Sequence, residues 1–222
     1  MMIEGKISVI MAVYNTTFPI VKRAIDSVLA QDYANVELIV VDDGSDDWFI
    51  ADLKKYCELH KKSIQFLQQS NCGQSSAINK GIQNSSAEFI AILDADDKYR
   101  PQHLSSCMKA MEEADLISSL TETIVDKEAD YFVPDKFNQQ QLIHVDDCVL
   151  FATLFGKKFV FDQLPFMSMY AADAEFYERA AMQFRVKKLP LRTYVYYRNN
   201  PSSICSTLKT LLHSPNDAAV SA

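Results

Sequence analysis

Four short runs rich in β-branched and other apolar residues recur through the first hundred positions: KISVIMAV at 6–13, VELIVVD at 36–42, SIQFLQ at 63–68 and EFIAILD at 88–94. A turn rich in Asp, Asn, Gly or Ser follows each, and then a helix-patterned segment. Strands joined by helical crossovers pair in parallel, which confines the chain to an α/β architecture with a mostly parallel central sheet and helices on its faces. Thr17 and Pro19 open the first helix, with Ile20, Ala24, Ile25, Val28 and Leu29 as its apolar face. Ser45 or Asp46 caps a second that carries Phe49, Ile50, Leu53 and Tyr56, and GQSSAINKGI begins a third, expected to end at Gly81. Beyond residue 112 the rhythm loosens. ADLISSLTETIV reads as a strand, DKEADYFVPDKFNQQQ as a polar connection, AADAEFYERAAMQF as a helix and KKLPLRTYVYYRNN as an extended segment.

The 222 residues are 48% apolar, enough for one sizeable core, so disorder is expected only in the tail SPNDAAVSA at 214–222. A net charge of -7 argues against a broad basic surface for nucleic acid. The five cysteines are scattered without a C-x-x-C pair and the four histidines lie far apart, which suggests reduced thiols and gives no support to a zinc site. With neither a signal-like start nor an apolar run of membrane-spanning length, the expectation is a cytoplasmic protein with at most peripheral membrane contact.

In an open parallel sheet, ligands gather beyond the carboxyl ends of the strands. Here those ends carry Tyr14 and Asn15, Asp42 and Asp43, and Asp94, Asp96 and Asp97. Asp and Gly in VDDGSDD are also ordinary turn chemistry, but a turn needs only one Asp, and DADD has three. Crowded carboxylates raise one another's pKa unless a cation offsets them, and a hard divalent ion, Mn²⁺ or Mg²⁺, shares its shell with substrate phosphates. There is no G-x-x-x-x-G-K-[ST] and no G-x-G-x-x-G after the first strand, which removes P-loop and dinucleotide-binding readings. Lys98 stands where a D-x-D-x-[TV] phosphatase would need Thr or Val, and that motif would follow the first strand rather than the fourth.

Taken in order, ISVIMAVYN, ELIVVDDGSDD, NCGQSSAINKG, FIAILDADD, YAADAEFYERA and YYRNNPSSI resemble the motifs of the family-2 glycosyltransferases, inverting enzymes that use nucleotide sugars and have the GT-A fold. The resemblance implies a three-layer α/β/α sandwich spanning 1–213 as one domain, with a nucleotide-binding half at 1–112 and an acceptor and catalytic half at 113–213. It implies that Ala12, Val13, Tyr14 and Asn15 line the nucleotide pocket, that Asp42 accepts hydrogen bonds from the base with Asp43 and Ser45 in support, and that Asn71, Gly73 and Asn79 serve the loop around the donor. Asp94 and Ala95 would face the donor sugar or ribose. Asp96 would hold Mn²⁺ or Mg²⁺ on the diphosphate, with Asp97 assisting through water.

By the same resemblance Asp173 is the base that takes the acceptor proton, a role compatible with its place at a helix start. Arg198, with Ser202 or Ser203, would approach the diphosphate. The donor would be a UDP-, GDP- or dTDP-sugar, and the acceptor a glycan, lipid-linked or small hydroxyl in polysaccharide or glycoconjugate synthesis. Two positions depart from the family pattern: Ala172, where a second acid often precedes the base, and Ile78, where an arginine often stands. A non-catalytic sugar-nucleotide or glycan-binding relative and a sugar-nucleotide nucleotidyltransferase are the competing readings. The second would want a glycine-rich basic loop after the first strand, and MAVYNTTFP has neither glycine nor a basic residue.

Overall fold

The computed structural model describes residues 5–138, 140–167 and 170–199. In chain order the elements are β1 (Ile7–Val13), α1 (Phe18–Leu29), β2 (Val36–Asp42), α2 (Asp47–Leu59), β3 (Ile64–Gln68), α3 (Gln74–Asn84), β4 (Phe89–Ile92), β5 (Lys98–Tyr99), α4 (His103–Lys109), β6 (Leu116–Ile124), β7 (Phe132–Pro134), β8 (Leu142–His144), β9 (Leu154–Lys157), α5 (Lys158–Gln163), α6 (Ala172–Ala181) and β10 (Val186–Tyr197). The main sheet runs β3-β2-β1-β4-β9-β6-β10-β5. Its first four strands, those expected from the sequence, pair in parallel. The later strands are antiparallel additions: β9 to β4, β6 to β9 and β5 to β10. The fold is therefore α/β with a mixed sheet whose nucleus is parallel.

Two compact units make up the described chain. The larger comprises residues up to Glu122 together with Val149–Val195; the smaller comprises Thr123–Cys148 and the described residues from Tyr196 on. The smaller unit corrects the expectation of a plain polar connection, because β7 and β8 form an antiparallel hairpin there. The His144 ring stacks on Tyr131 and meets Phe132 edge-on, which gives that hairpin an aromatic centre of its own.

In the larger unit the register sets Ile10 opposite both Ile39 and Ile92, so alternate residues of three strands share one face. That face packs with Ala77, Ile78 and Ile82 of α3, Val160 and Phe161 of α5, and Phe176 and Ala180 of α6. The alternate set, including Val9, Met11, Leu38 and Val40, is buried as well, so the sheet is covered on both sides. The apolar face of α1 is Val21, Ala24, Ile25 and Val28; Leu29, expected inside, is exposed.

Gly81 does not end α3, which continues to Asn84. A Cβ at Gly81 would stand 2.4 Å from Ile10 Cγ2 and 3.3 Å from Val41 Cγ2, so glycine is needed here for close approach of helix to sheet. Those neighbours are branched methyls near the backbone and cannot swing away. Gly81→Ala should therefore destabilise by about 1–3 kcal/mol, the usual cost of overpacking, despite alanine's better helix propensity. Urea unfolding reads this as a lower midpoint at unchanged slope.

On the far side of β5, His103 is buried, stacks on Tyr99 and sets Nδ1 2.8 Å from Thr193 Oγ1. Burial lowers its pKa from 6.5 to about 3, so the native state holds the neutral ring. A depressed pKa contributes stability that is present above the unfolded value and lost as pH falls through the window from about 6.5 toward 3, at up to about 1.4 kcal/mol per pH unit. Melting temperature should fall on acidification below about pH 6.5, and less steeply in His103→Gln.

Candidate functional site

The carboxyl ends of β1 and β2 are bolted together by their loops. Asn15, in the left-handed region at φ 46, donates its N–H to Ser45 Oγ at 2.8 Å, and its Oδ1 accepts from Asp46 N at 2.9 Å. Asp42 is buried and accepts from Ser45 N and Gln68 Nε2. Asp43, also buried, accepts from Gln69 Nε2 at 2.7 Å, Cys72 N at 2.9 Å and Gly73 N at 2.8 Å, so one carboxylate shapes the whole 69–73 loop. Gly44 lets that loop approach: at φ 78, a Cβ on it would lie 2.6 Å from Asn71 N. Tyr14 is half-exposed beside this junction, Asn71 is exposed, and nothing stands within 4 Å of where a Cβ on Gly73 would project.

Asn79 reaches across to the chain ahead of α6. Its Nδ2 donates to Phe166 O at 2.8 Å, and its Oδ1 accepts from Phe166 N at 2.9 Å, so the carboxamide clasps the chain ahead of α6. Ile78 beside it is fully buried in the core, as is Ala172 at the start of α6. Both departures from the family pattern are thus packing positions, and a charged side chain at either would enter the core.

Beyond β4 the chain turns through Asp94, Ala95, Asp96 and Asp97, closed by Asp97 N donating to Asp94 O at 3.2 Å. Ala95 is buried, whereas Asp94 and Asp96 keep partial exposure. Gln74, the first residue of α3, donates from Nε2 to Asp94 Oδ1 at 2.8 Å, and Arg23 of α1 donates from Nη2 to the backbone oxygen of Asp96. Asp97 points inward: it is fully buried, and Tyr194 Oη of β10 donates to its Oδ2.

Asp173 lies in the first turn of α6, behind Ala171, whose φ of 54 bends the chain into the helix. It is not the N-cap. Its Oδ2 accepts from Phe151 N at 3.1 Å and its Oδ1 from Ala174 N at 2.8 Å, which pins the carboxylate at the positive end of the helix. The acid of Asp94 is pushed up to about 7, by burial first and then by the charges of Asp96 and Asp173, while the bond from Gln74 pulls the other way. Asp94 therefore feels both its close neighbour Asp96 and, far away in sequence, Asp173 of α6.

Among the described residues no three His, Cys, Asp or Glu side chains converge closely enough to cage an ion unaided. The charge crowding that raises Asp94 is of the kind a cation relieves, and a hard divalent ion with few protein ligands takes the rest of its shell from a substrate. Arg198 belongs to the smaller unit, where it is buried, donates Nε to Asp130 O at 3.2 Å and lies over the Tyr196 ring. Ser202 and Ser203 lie outside the described residues, as does the tail at 214–222. Among the described residues no helix is long and apolar enough to cross a membrane. Gln74, Arg23 and Tyr194 escaped the sequence reading; only Gln74, next to the glycine that opens α3, carried a local signal.

Residues 8–171 match the family described as glycosyl transferase family 2. An uncharacterized glycosyltransferase of Rickettsia bellii (strain RML369-C) is 40% identical over 129 residues, covering 58% of this chain and 18% of that protein. Glycosyltransferase GlyA of Streptococcus pneumoniae serotype 4 is 32% identical over 143 residues, covering 64% and 18%. The chain thus spans about a fifth of the length of these curated relatives. In structure it is similar to mannosyltransferase PcManGT from Pyrobaculum calidifontis, solved with GDP-Man and Mn²⁺, at a TM-score of 0.69 and 20% identity over 87% of this chain and 57% of that one. The S. aureus TarS 1–349 complex with UDP-GlcNAc gives 0.67 and 20% over 86% and 58%.

Proposed function

The chain belongs to glycosyl transferase family 2, and from that premise we propose that it moves a sugar from a nucleoside diphosphate donor to an acceptor hydroxyl with inversion at the anomeric carbon. One observation carries the reading: Asp173, pinned at the start of α6, faces the acids of the β4 turn closely enough to raise Asp94. An inverting transfer needs a carboxylate on the acceptor side to take the hydroxyl proton while the diphosphate departs on the other. Asp173 is that base, oriented at the helix terminus by two backbone N–H groups.

Ala12, Val13, Tyr14 and Asn15 receive the nucleoside, with the exposed Tyr14 ring against the base and Asp42 accepting its hydrogen bonds. Asp43 and Ser45 keep the loops in place, and Asn71 with Gly73 borders the diphosphate where no side chain fills the space. Asp94 and Ala95 meet the donor sugar or ribose. Asp96 would hold a bound Mn²⁺ or Mg²⁺, which supplies electrostatic stabilisation of charge on the leaving diphosphate. Asp97 is assigned to holding the turn rather than to the cation, because its carboxylate is turned into the core toward Tyr194. Asn79 is likewise assigned to holding Phe166.

The donor class is a UDP-, GDP- or dTDP-sugar, the acceptor a glycan, lipid-linked or small hydroxyl. PcManGT was solved with GDP-Man and Mn²⁺, and TarS with UDP-GlcNAc, which supports a pyrimidine or guanine nucleotide here. A panel of nucleoside diphosphates and nucleotide sugars, scored by melting temperature with and without Mn²⁺, tests the reading. One base class should raise the melting temperature in a metal-dependent way. The absence of any shift across the panel, with or without metal, would overturn it.

A further inference from the structure

The buried pair of Asp97 and Tyr194 joins the acid turn to a strand near the other end of the chain. Tyr194 is fully buried in β10, and Asp97 is fully buried behind the turn. The Tyr194 hydroxyl donates to Asp97 Oδ2, and Asp97 N donates to Asp94 O at 3.2 Å. The backbone oxygen of Asp96, between them, accepts from Arg23 of α1. Around this contact β5 pairs with β10 at Tyr99 with Tyr194 and Lys98 with Val195, and the Tyr99 ring meets Tyr194 edge-on while its hydroxyl donates to Ile92 O at 2.7 Å. The turn that presents Asp94 and Asp96 is therefore held from behind by a phenol and from the side by a guanidinium.

We propose that Tyr194 is a positioning residue for donor binding: through its hydrogen bond to Asp97 it fixes the 94–97 turn so that Asp94 and Asp96 face the donor. This rests on the glycosyl-transfer reading of the site. Tyr194 touches no substrate; it acts through Asp97. A packed aromatic alone would fill the same volume, but it would leave a buried carboxylate without this donor, and the turn would shift to satisfy it. Groups that orient a ligand-bearing side chain from behind typically account for about 10- to 100-fold in affinity or activity.

The test uses the whole chain and the nucleoside diphosphate that shifts wild-type melting, titrated calorimetrically with Mn²⁺ present. Tyr194→Phe keeps the ring and removes the hydroxyl. It should weaken nucleotide binding by about tenfold or more while the protein still unfolds cooperatively. Asp97→Asn retains an oxygen that accepts from Tyr194 and should stay within about threefold of wild type, whereas Asp97→Ala should fall with Tyr194→Phe. A merely structural role would move the melting temperature without separating Asp97→Asn from Asp97→Ala in affinity. If Tyr194→Phe binds as wild type does, the proposal is overturned while the site reading stands. If Tyr194→Phe does not fold, equal affinity of Asp97→Ala and wild type overturns it in the same way. Wild-type protein that binds no nucleoside diphosphate overturns both.

Discussion

Asp173→Asn should lower sugar transfer by about 10²- to 10⁴-fold, the span that a positioned general base contributes, with little change in donor affinity. The carboxylate sits where two backbone N–H groups, from Phe151 and Ala174, each satisfy one oxygen. An amide keeps one acceptor and turns its NH₂ toward the other N–H, so the variant should also lose about 1 kcal/mol of stability, a lost hydrogen bond's worth. That loss is too small to unfold the protein and is separable by a melting curve. Turnover and calorimetric donor affinity together make the check. A variant that keeps within tenfold of wild-type turnover would remove Asp173 from the role of base.

Asp96→Ala should behave in the opposite sense with respect to stability. Asp96 is one of the charges that raise the acid of Asp94, so its removal relieves repulsion, and the metal-free variant should melt no lower than wild type. Function should nonetheless collapse: the Mn²⁺-dependent part of the nucleotide melting shift should vanish, and transfer should drop by about two to three orders of magnitude. Loss of binding without loss of stability is the signature of a residue kept for charge it is costly to hold. If instead the Mn²⁺-dependent shift survives in Asp96→Ala, the cation is held elsewhere.

The parallel half of the fold was legible because its information is local. Runs such as ELIVVD and FIAIL need only their own composition to read as buried strands, and β1 to β4 begin and end within a residue or two of expectation, the end of β4 falling two residues before Asp94. Asp94 and Asp96 stood out for the same reason, as acids where a parallel sheet exposes its carboxyl edge, whereas Asp173 stood out only through the resemblance of YAADAEFYERA to a family motif. What escaped depends on partners distant in the chain. Gly81 looks like a helix stop until Ile10 is set against it. Nothing near Asn79 in the sequence announces that Phe166, 87 residues on, meets both ends of its amide. β5 is two residues long and owes its existence to pairing with β10, and nothing in KY announces a strand. Asp97 could not be told from Asp96 by composition; only the position of Tyr194 separates an outward acid from an inward one.

That late partnership bears on how the protein is made. The strands of the parallel nucleus are made close together and can pair among themselves, but the turn at their edge meets Thr193 and Tyr194 only after almost another hundred residues have been added. Arg100 N donates to Thr193 O at 2.8 Å, so even the backbone that leaves the turn is completed by β10. A nascent chain stalled before β10 would hold a folded sheet with an unset acid turn. Competence to bind donor should therefore appear only when β10 docks and be absent from folding intermediates that lack it.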